Sequence, residues 1–91
     1  MPRSSEDKKR MLLRVRRIKG QVEALERALE SGVDCDALLQ QIAAVRGASH
    51  GLMSELMEIH IRDELGQPDL SDLEKIARVN GVASLVRSYL K

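Results

Sequence analysis

Residues 11–29, MLLRVRRIKGQVEALERAL, place apolar side chains at Met11, Val15, Ile18, Val22, Leu25 and Leu29. The intervals are 4, 3, 4, 3 and 4, the 3.5-residue repeat of a helix that packs lengthwise against another. Upstream, Ser4 or Ser5 can cap this helix, with Glu6 and Asp7 at the positive end of its dipole. Downstream, Ser31-Gly32 ends it, because glycine suits the left-handed position past a helix terminus. After the Val33-Asp34 link, a second helix is predicted from about Cys35 to Leu65, stopped by Gly66-Gln67-Pro68. Ser71-Asp72-Leu73-Glu74 is a capping box opening a third helix, with Leu73, Ile76, Ala77, Val82, Leu85, Val86 and Tyr89 expected inward. Asn80-Gly81 should weaken that helix and kink it. No strand alternation and no internal repeat interrupts the pattern. The reading is all-α, a three-helix protomer forming one domain over residues 1–91.

The second helix would be about 45 Å long at roughly 1.5 Å per residue. Its middle carries Ala43, Ala44, Gly47, Ala48 and Gly51. Each interior glycine costs about 1 kcal/mol against alanine, so two of them suggest a neighbouring backbone packed close. Three helices of one chain cannot cover so long an apolar rod. We therefore expect hairpins of helices 1 and 2 to pair into antiparallel four-helix bundles.

Hydrophobic residues make up 43% of the chain, but there is one Tyr and no Phe or Trp, so the core must be aliphatic. So few aromatics argue against base-stacking modules for single-stranded nucleic acid. No apolar run approaches the roughly 20 residues that span a membrane. The amino-terminal residues lack a signal-peptide core, and a lone cysteine fits a reducing cytoplasm.

Charge is distributed unevenly. Arg3, Lys8, Lys9, Arg10, Arg14, Arg16, Arg17 and Lys19 face only Glu6 and Asp7 in the first twenty residues, a net of +6. The remaining chain nets −5, giving +1 in all. A positive helix suits a polyanion, since each neutralised phosphate releases counterions. Arg10, Arg14, Arg17 and Gln21 recur at intervals of 4, 3 and 4, a polar stripe flanking the apolar seam, with Lys9 and Arg16 in an adjacent phase. Such a stripe can follow a phosphate strand of duplex DNA, and Gln21 or an arginine can reach a base edge. Arg46 lies mid-way along helix 2, open to either a phosphate contact or a salt bridge with Glu23 or Glu26.

Cys35 begins helix 2 and His60 lies 25 residues on, near its end. That is about 37 Å along a straight helix, so the two cannot meet within one chain. In an antiparallel pair of second helices, Cys35 of one chain comes beside His60 of the other. Glu64 is one turn beyond His60, and the start of helix 1 should return to the same end. Pro2, His60 and Glu64 of one chain can therefore converge with Cys35 of the next. Removal of Met1 would expose the secondary amine of Pro2, of which an appreciable fraction is uncharged near neutrality. The helix dipole favours a thiolate at Cys35. Amine and thiolate together trap a small carbonyl compound: the amine adds to formaldehyde, water leaves, and the thiolate closes a methylene bridge. The alternatives are an inert thiol with an interface histidine, or a metal site. Cys35, His60 and Glu64 supply one thiolate, one imidazole and one carboxylate, a set able to hold Zn²⁺, Co²⁺ or Ni²⁺.

The blocks RRIKGQVEAL (residues 16–25) and LQQIAAVRGA (39–48), with Gly51-Leu52-Met53, Cys35, His60 and Tyr89-Leu90-Lys91, resemble the CsoR/RcnR/FrmR family of bacterial repressors. The resemblance covers nearly the whole chain and is weakest over about residues 66–84. It implies a homotetramer, a dimer of four-helix-bundle dimers, that leaves operator DNA when an effector binds between subunits. Copper sensors of the family carry a second Cys at the place of Glu64, and persulfide sensors need two cysteines. Nickel and cobalt sensors have His beside the amino terminus and at the Glu64 place, where this chain has Arg3 and Glu64. Formaldehyde sensors keep Pro2 and Cys35, as here. His50 stands where relatives commonly have Asn and is read as a helix-surface or interface contact.

The expected function is therefore a formaldehyde-responsive, operator-binding repressor that needs no cofactor. A metal-responsive repressor is the alternative, with Zn, Co or Ni at the Cys35–His60 site. An enzyme is not expected, because nothing supplies an oxyanion hole or substrate pocket beside the cysteine. A purely structural coiled coil would leave Pro2 and the Cys35–His60 pairing unexplained.

Overall fold

The computed structural model describes residues 4–90, which form α1 (Ser5–Ser31), α2 (Cys35–Leu65) and α3 (Asp72–Tyr89). The boundaries follow the caps. Ser4 Oγ accepts the backbone N–H groups of Glu6 at 3.1 Å and Asp7 at 3.3 Å. Gly32, at φ 77°, donates its N–H to the Ala28 carbonyl, and Val33 donates to the same oxygen at 3.2 Å. This closure folds α2 back antiparallel to α1. In the capping box, Glu74 N–H donates to Ser71 Oγ at 3.1 Å and the Glu74 carboxylate accepts Ser71 N–H at 3.4 Å.

Asn80-Gly81 do not break α3, which is helical through both. One interior glycine costs about 1 kcal/mol, too little to undo a helix capped at its start and anchored by buried Val82. The principal extents are 59 × 29 × 13 Å. A helix with its side chains is about 10–12 Å across, so the protomer is a single layer of helices. Its core is correspondingly thin: Met11, Ala28, Met57, Ile59 and Val82 are the buried hydrophobics among the described residues.

This thinness corrects two expectations for the single chain and leaves a third to contacts between chains. The heptad seam of α1 divides: Met11 is buried and Ile18 and Leu25 half-buried, whereas Val15, Val22 and Leu29 form an exposed row at seven-residue intervals. On α3 only Val82 is buried and Leu85 and Val86 half-buried; Leu73, Ile76, Ala77 and Tyr89 are exposed, because α3 packs on α2 alone. No backbone of the same chain approaches the glycines of α2. A Cβ on Gly47 would meet nothing within 4 Å, and one on Gly51 would meet the Arg14 guanidinium, with Nη1 at 2.9 Å.

Candidate functional site

The amino-terminal half of α1 lies against the carboxy-terminal half of α2, and the basic residues there divide into two groups. Arg14 Nε donates to Glu55 Oε2, and Arg10 Nε donates to Glu55 Oε1 at 2.9 Å. Arg10 also pairs with Asp7. The Arg14 guanidinium occupies the space over Gly51, one helical turn before Glu55. These hydrogen bonds, that from Arg14 foremost, hold the Glu55 carboxyl below its ordinary value of 4.5 against the opposing effect of desolvation. Gln21 is half-buried on the same face, and its Oε1 is buried without a hydrogen-bond partner.

Lys8, Lys9, Arg16, Arg17 and Lys19 are exposed and make no ion pair among the described residues. The stripe read from the sequence is thus two surfaces: Arg14 and Gln21 turn toward α2, while Arg16 and Arg17 face outward. Arg46 is exposed and forms no ion pair with Glu23 or Glu26.

Cys35, exposed, is the first residue of α2. His60 lies toward the other end of the helix, half-buried between two clefts of about 430 Å³ each. One cleft lies under α3 and is rimmed by the charged side chains of Glu64, Glu74 and Arg78 along with the apolar Val82 and Leu85. The other is apolar, and Met11, Val15, Met57 and Tyr89 are among its walls. The start of α1 therefore shares a cleft with His60, while Cys35 of the same chain is at the far end. Pro2 and Arg3 lie outside the described residues.

Glu64 is already engaged. Arg78 Nη1 reaches from α3 and donates to Glu64 Oε2 at 2.7 Å and to the Glu64 carbonyl at 3.5 Å. Among the described residues, no three His, Cys, Asp or Glu side chains converge as metal ligands. Glu64 could serve a metal only while shared with, or released by, the Arg78 guanidinium. His50 is exposed on α2.

Sequence reasoning missed Glu55 and Arg78. Glu55 carried a faint signal, an acidic residue flanked by Leu52, Met53, Leu56 and Met57. Arg78 carried none, because its partner depends on how α3 docks.

A family model for metal-sensitive transcriptional repressors matches residues 7–87. The chain belongs to that family. Its members are regulators of transcription rather than enzymes. A protein encoded in the bioA 5′ region of Serratia marcescens is 50% identical over 91 residues, the full length of both chains. A homologue of the transcriptional repressor RcnR from Escherichia coli O139:H28 is 35% identical, again end to end. Among solved structures, the E64H variant of the formaldehyde-responsive regulator FrmR from Salmonella enterica serovar Typhimurium superposes with a TM-score of 0.86. It is 60% identical, and the match covers 97% of this chain and 99% of that one. The all-α, three-helix fold is thus shared with a known regulator. No helix of the described residues is long and apolar enough to cross a membrane.

Proposed function

We propose that this repressor binds operator DNA as a cytoplasmic homotetramer and is released when formaldehyde joins Pro2 of one chain to Cys35 of another. The observation that carries the reading is the placement of Cys35, exposed at the opposite end of α2 from the start of α1. A second chain laid antiparallel, its apolar rows against Val15, Val22 and Leu29, brings its Cys35 to that end. Pairing of hairpins into four-helix bundles, and of two such dimers, covers surfaces that one layer of helices leaves open. The likeness to a formaldehyde-responsive regulator supports the choice of effector.

The chemistry balances. The Pro2 amine adds to the carbonyl carbon, the carbinolamine loses water to an iminium, and the Cys35 thiolate adds to that carbon. One amine N–H and one thiol S–H are replaced by an N–CH₂–S bridge, with one water released. The short bridge draws the start of α1 toward the partner's α2 and disturbs the DNA-facing residues. We assign Arg10, Arg14, Arg16, Arg17, Gln21 and Arg46 to that surface, as a symmetric operator requires a repeated basic face.

The family's description as metal-sensitive supports a second reading, in which Zn²⁺, Co²⁺ or Ni²⁺ bound by Cys35, His60 and Glu64 is the effector. The two are separated by measuring release of a bound duplex by formaldehyde, Ni²⁺, Co²⁺, Zn²⁺ and Cu⁺ in parallel. Release by formaldehyde alone is expected; release by a metal at lower concentration would favour the second reading.

A further inference from the structure

We propose that Glu55 and Gly51 form a seat that withholds Arg14, and with it Arg10, from DNA phosphates, so that the protein's affinity for duplex is set by an internal competitor. This inference rests on the duplex-binding reading above. Both Glu55 oxygens are occupied, Oε2 by Arg14 Nε and Oε1 by Arg10 Nε at 2.9 Å. The second charge on this face, Asp7, holds Arg10 Nη2. Asp7, Arg10, Arg14 and Glu55 together are electrically neutral, so two of the cations in the basic segment contribute little field outward. The Glu55 side chain is only 16% exposed, and water therefore screens the pairs less than at a free surface.

Gly51 makes the seat possible. An ideal Cβ there would stand 2.9 Å from Arg14 Nη1, so a side chain would make the guanidinium shift from this position. Arg14 nevertheless stays 39% exposed and Arg10 52%, within reach of a phosphate that competes successfully with the carboxylate. A backbone phosphate likewise offers two anionic oxygens, so it can replace Glu55 as the acceptor for a guanidinium. Arg16 and Arg17, exposed and without ion pairs, supply the contacts that need no exchange.

The test uses the full chain and a duplex selected by the wild-type protein from a random-sequence pool, with affinity measured across a salt series. Glu55→Gln removes the competing charge but keeps the side chain's shape. Gly51→Ala shifts Arg14 and strengthens the helix, so it guards against a folding defect. Both variants should bind roughly tenfold tighter. The slope of log affinity against log salt should steepen by about 0.9 for each added phosphate contact. A merely structural pair would leave that slope unchanged. Equal or weaker binding by Glu55→Gln and Gly51→Ala, with the wild type binding well, overturns this inference alone. A wild type that selects no duplex overturns it together with the duplex-binding reading.

Discussion

Arg78 on α3 grips Glu64 on α2 at 2.7 Å, one turn beyond His60. The third helix is thereby tied to the side chain most eligible to complete a metal site. Glu64→His would break the tie and place a second imidazole one turn from His60, a better donor for intermediate metals than a carboxylate. Ni²⁺ and Co²⁺ affinity, read by competition with a chromophoric chelator, should rise at least tenfold. Loss of the half-exposed ion pair should cost up to about 1 kcal/mol of stability. Unchanged metal affinity would place this side chain away from the effector site.

Arg14 and Arg17 should part company in mutants. Arg17→Ala removes an exposed cation, so duplex affinity should fall several-fold with a shallower salt slope and no change in melting temperature. Arg14→Ala should weaken duplex binding less, because Glu55 already holds that guanidinium back, and should lower the melting temperature by leaving Glu55 with one partner. Calorimetry and DNA titration on the same preparations check both. Equal melting temperatures for the two variants would mean the Arg14–Glu55 pair adds no stability.

Gly47→Leu distinguishes packing within the chain from packing between chains. Among the described residues, a Cβ at Gly47 would meet nothing within 4 Å beyond its own helix backbone and chain neighbours, and leucine is the better helix former. The substitution should therefore clash with nothing inside the protomer. If a second α2 approaches closely at Gly47, the bulky side chain excludes it. Ultracentrifugation should then report a smaller species than for wild type. A Gly47→Leu protein of unaltered mass would move the chain–chain contact elsewhere.

Cys35→Ala should repress normally yet ignore formaldehyde, and Pro2→Ser should respond poorly because a primary amine replaces the secondary one. Mass spectrometry of treated wild type should find the amino-terminal peptide joined to the Cys35 peptide with one added carbon. Normal derepression of Cys35→Ala by formaldehyde rules out the bridge.

Acid should act through Glu55. Its carboxyl titrates below 4.5 in the folded protein because two guanidiniums hold it ionised. A depressed folded-state value means that the unfolded chain takes up the proton first. The stabilisation is therefore fully present above 4.5 and is lost as pH falls through the depressed value. Chemical denaturation between neutral pH and pH about 3 should show Glu55→Gln losing less stability on acidification than wild type. Parallel curves would mean that the pairs contribute nothing to this dependence.

The three helices and their ends were legible because caps are local: Ser4, Gly32 and the Ser71–Glu74 box act within a few residues of themselves. The division of the α1 seam was not. A heptad says which side chains share a stripe, not which half of the stripe a partner from the same chain covers. Val15 and Met11 look alike in sequence and differ only because α2 lies to one side. Cys35 and His60 were correctly placed at opposite ends, since that follows from helix rise alone. Arg14 was read as a free cation because charge periodicity carries no information about a carboxylate 41 residues away.

In the proposed tetramer, a protomer 13 Å thin would tie folding to abundance. The five buried hydrophobic side chains among the described residues offset little of the ordering entropy of the chain, so in the proposed tetramer the folded fraction would rise with the number of copies that meet. Newly made chains of such an assembly would face proteases until they find company. Dilution of the protein at cell division would act on its survival as well as on operator occupancy.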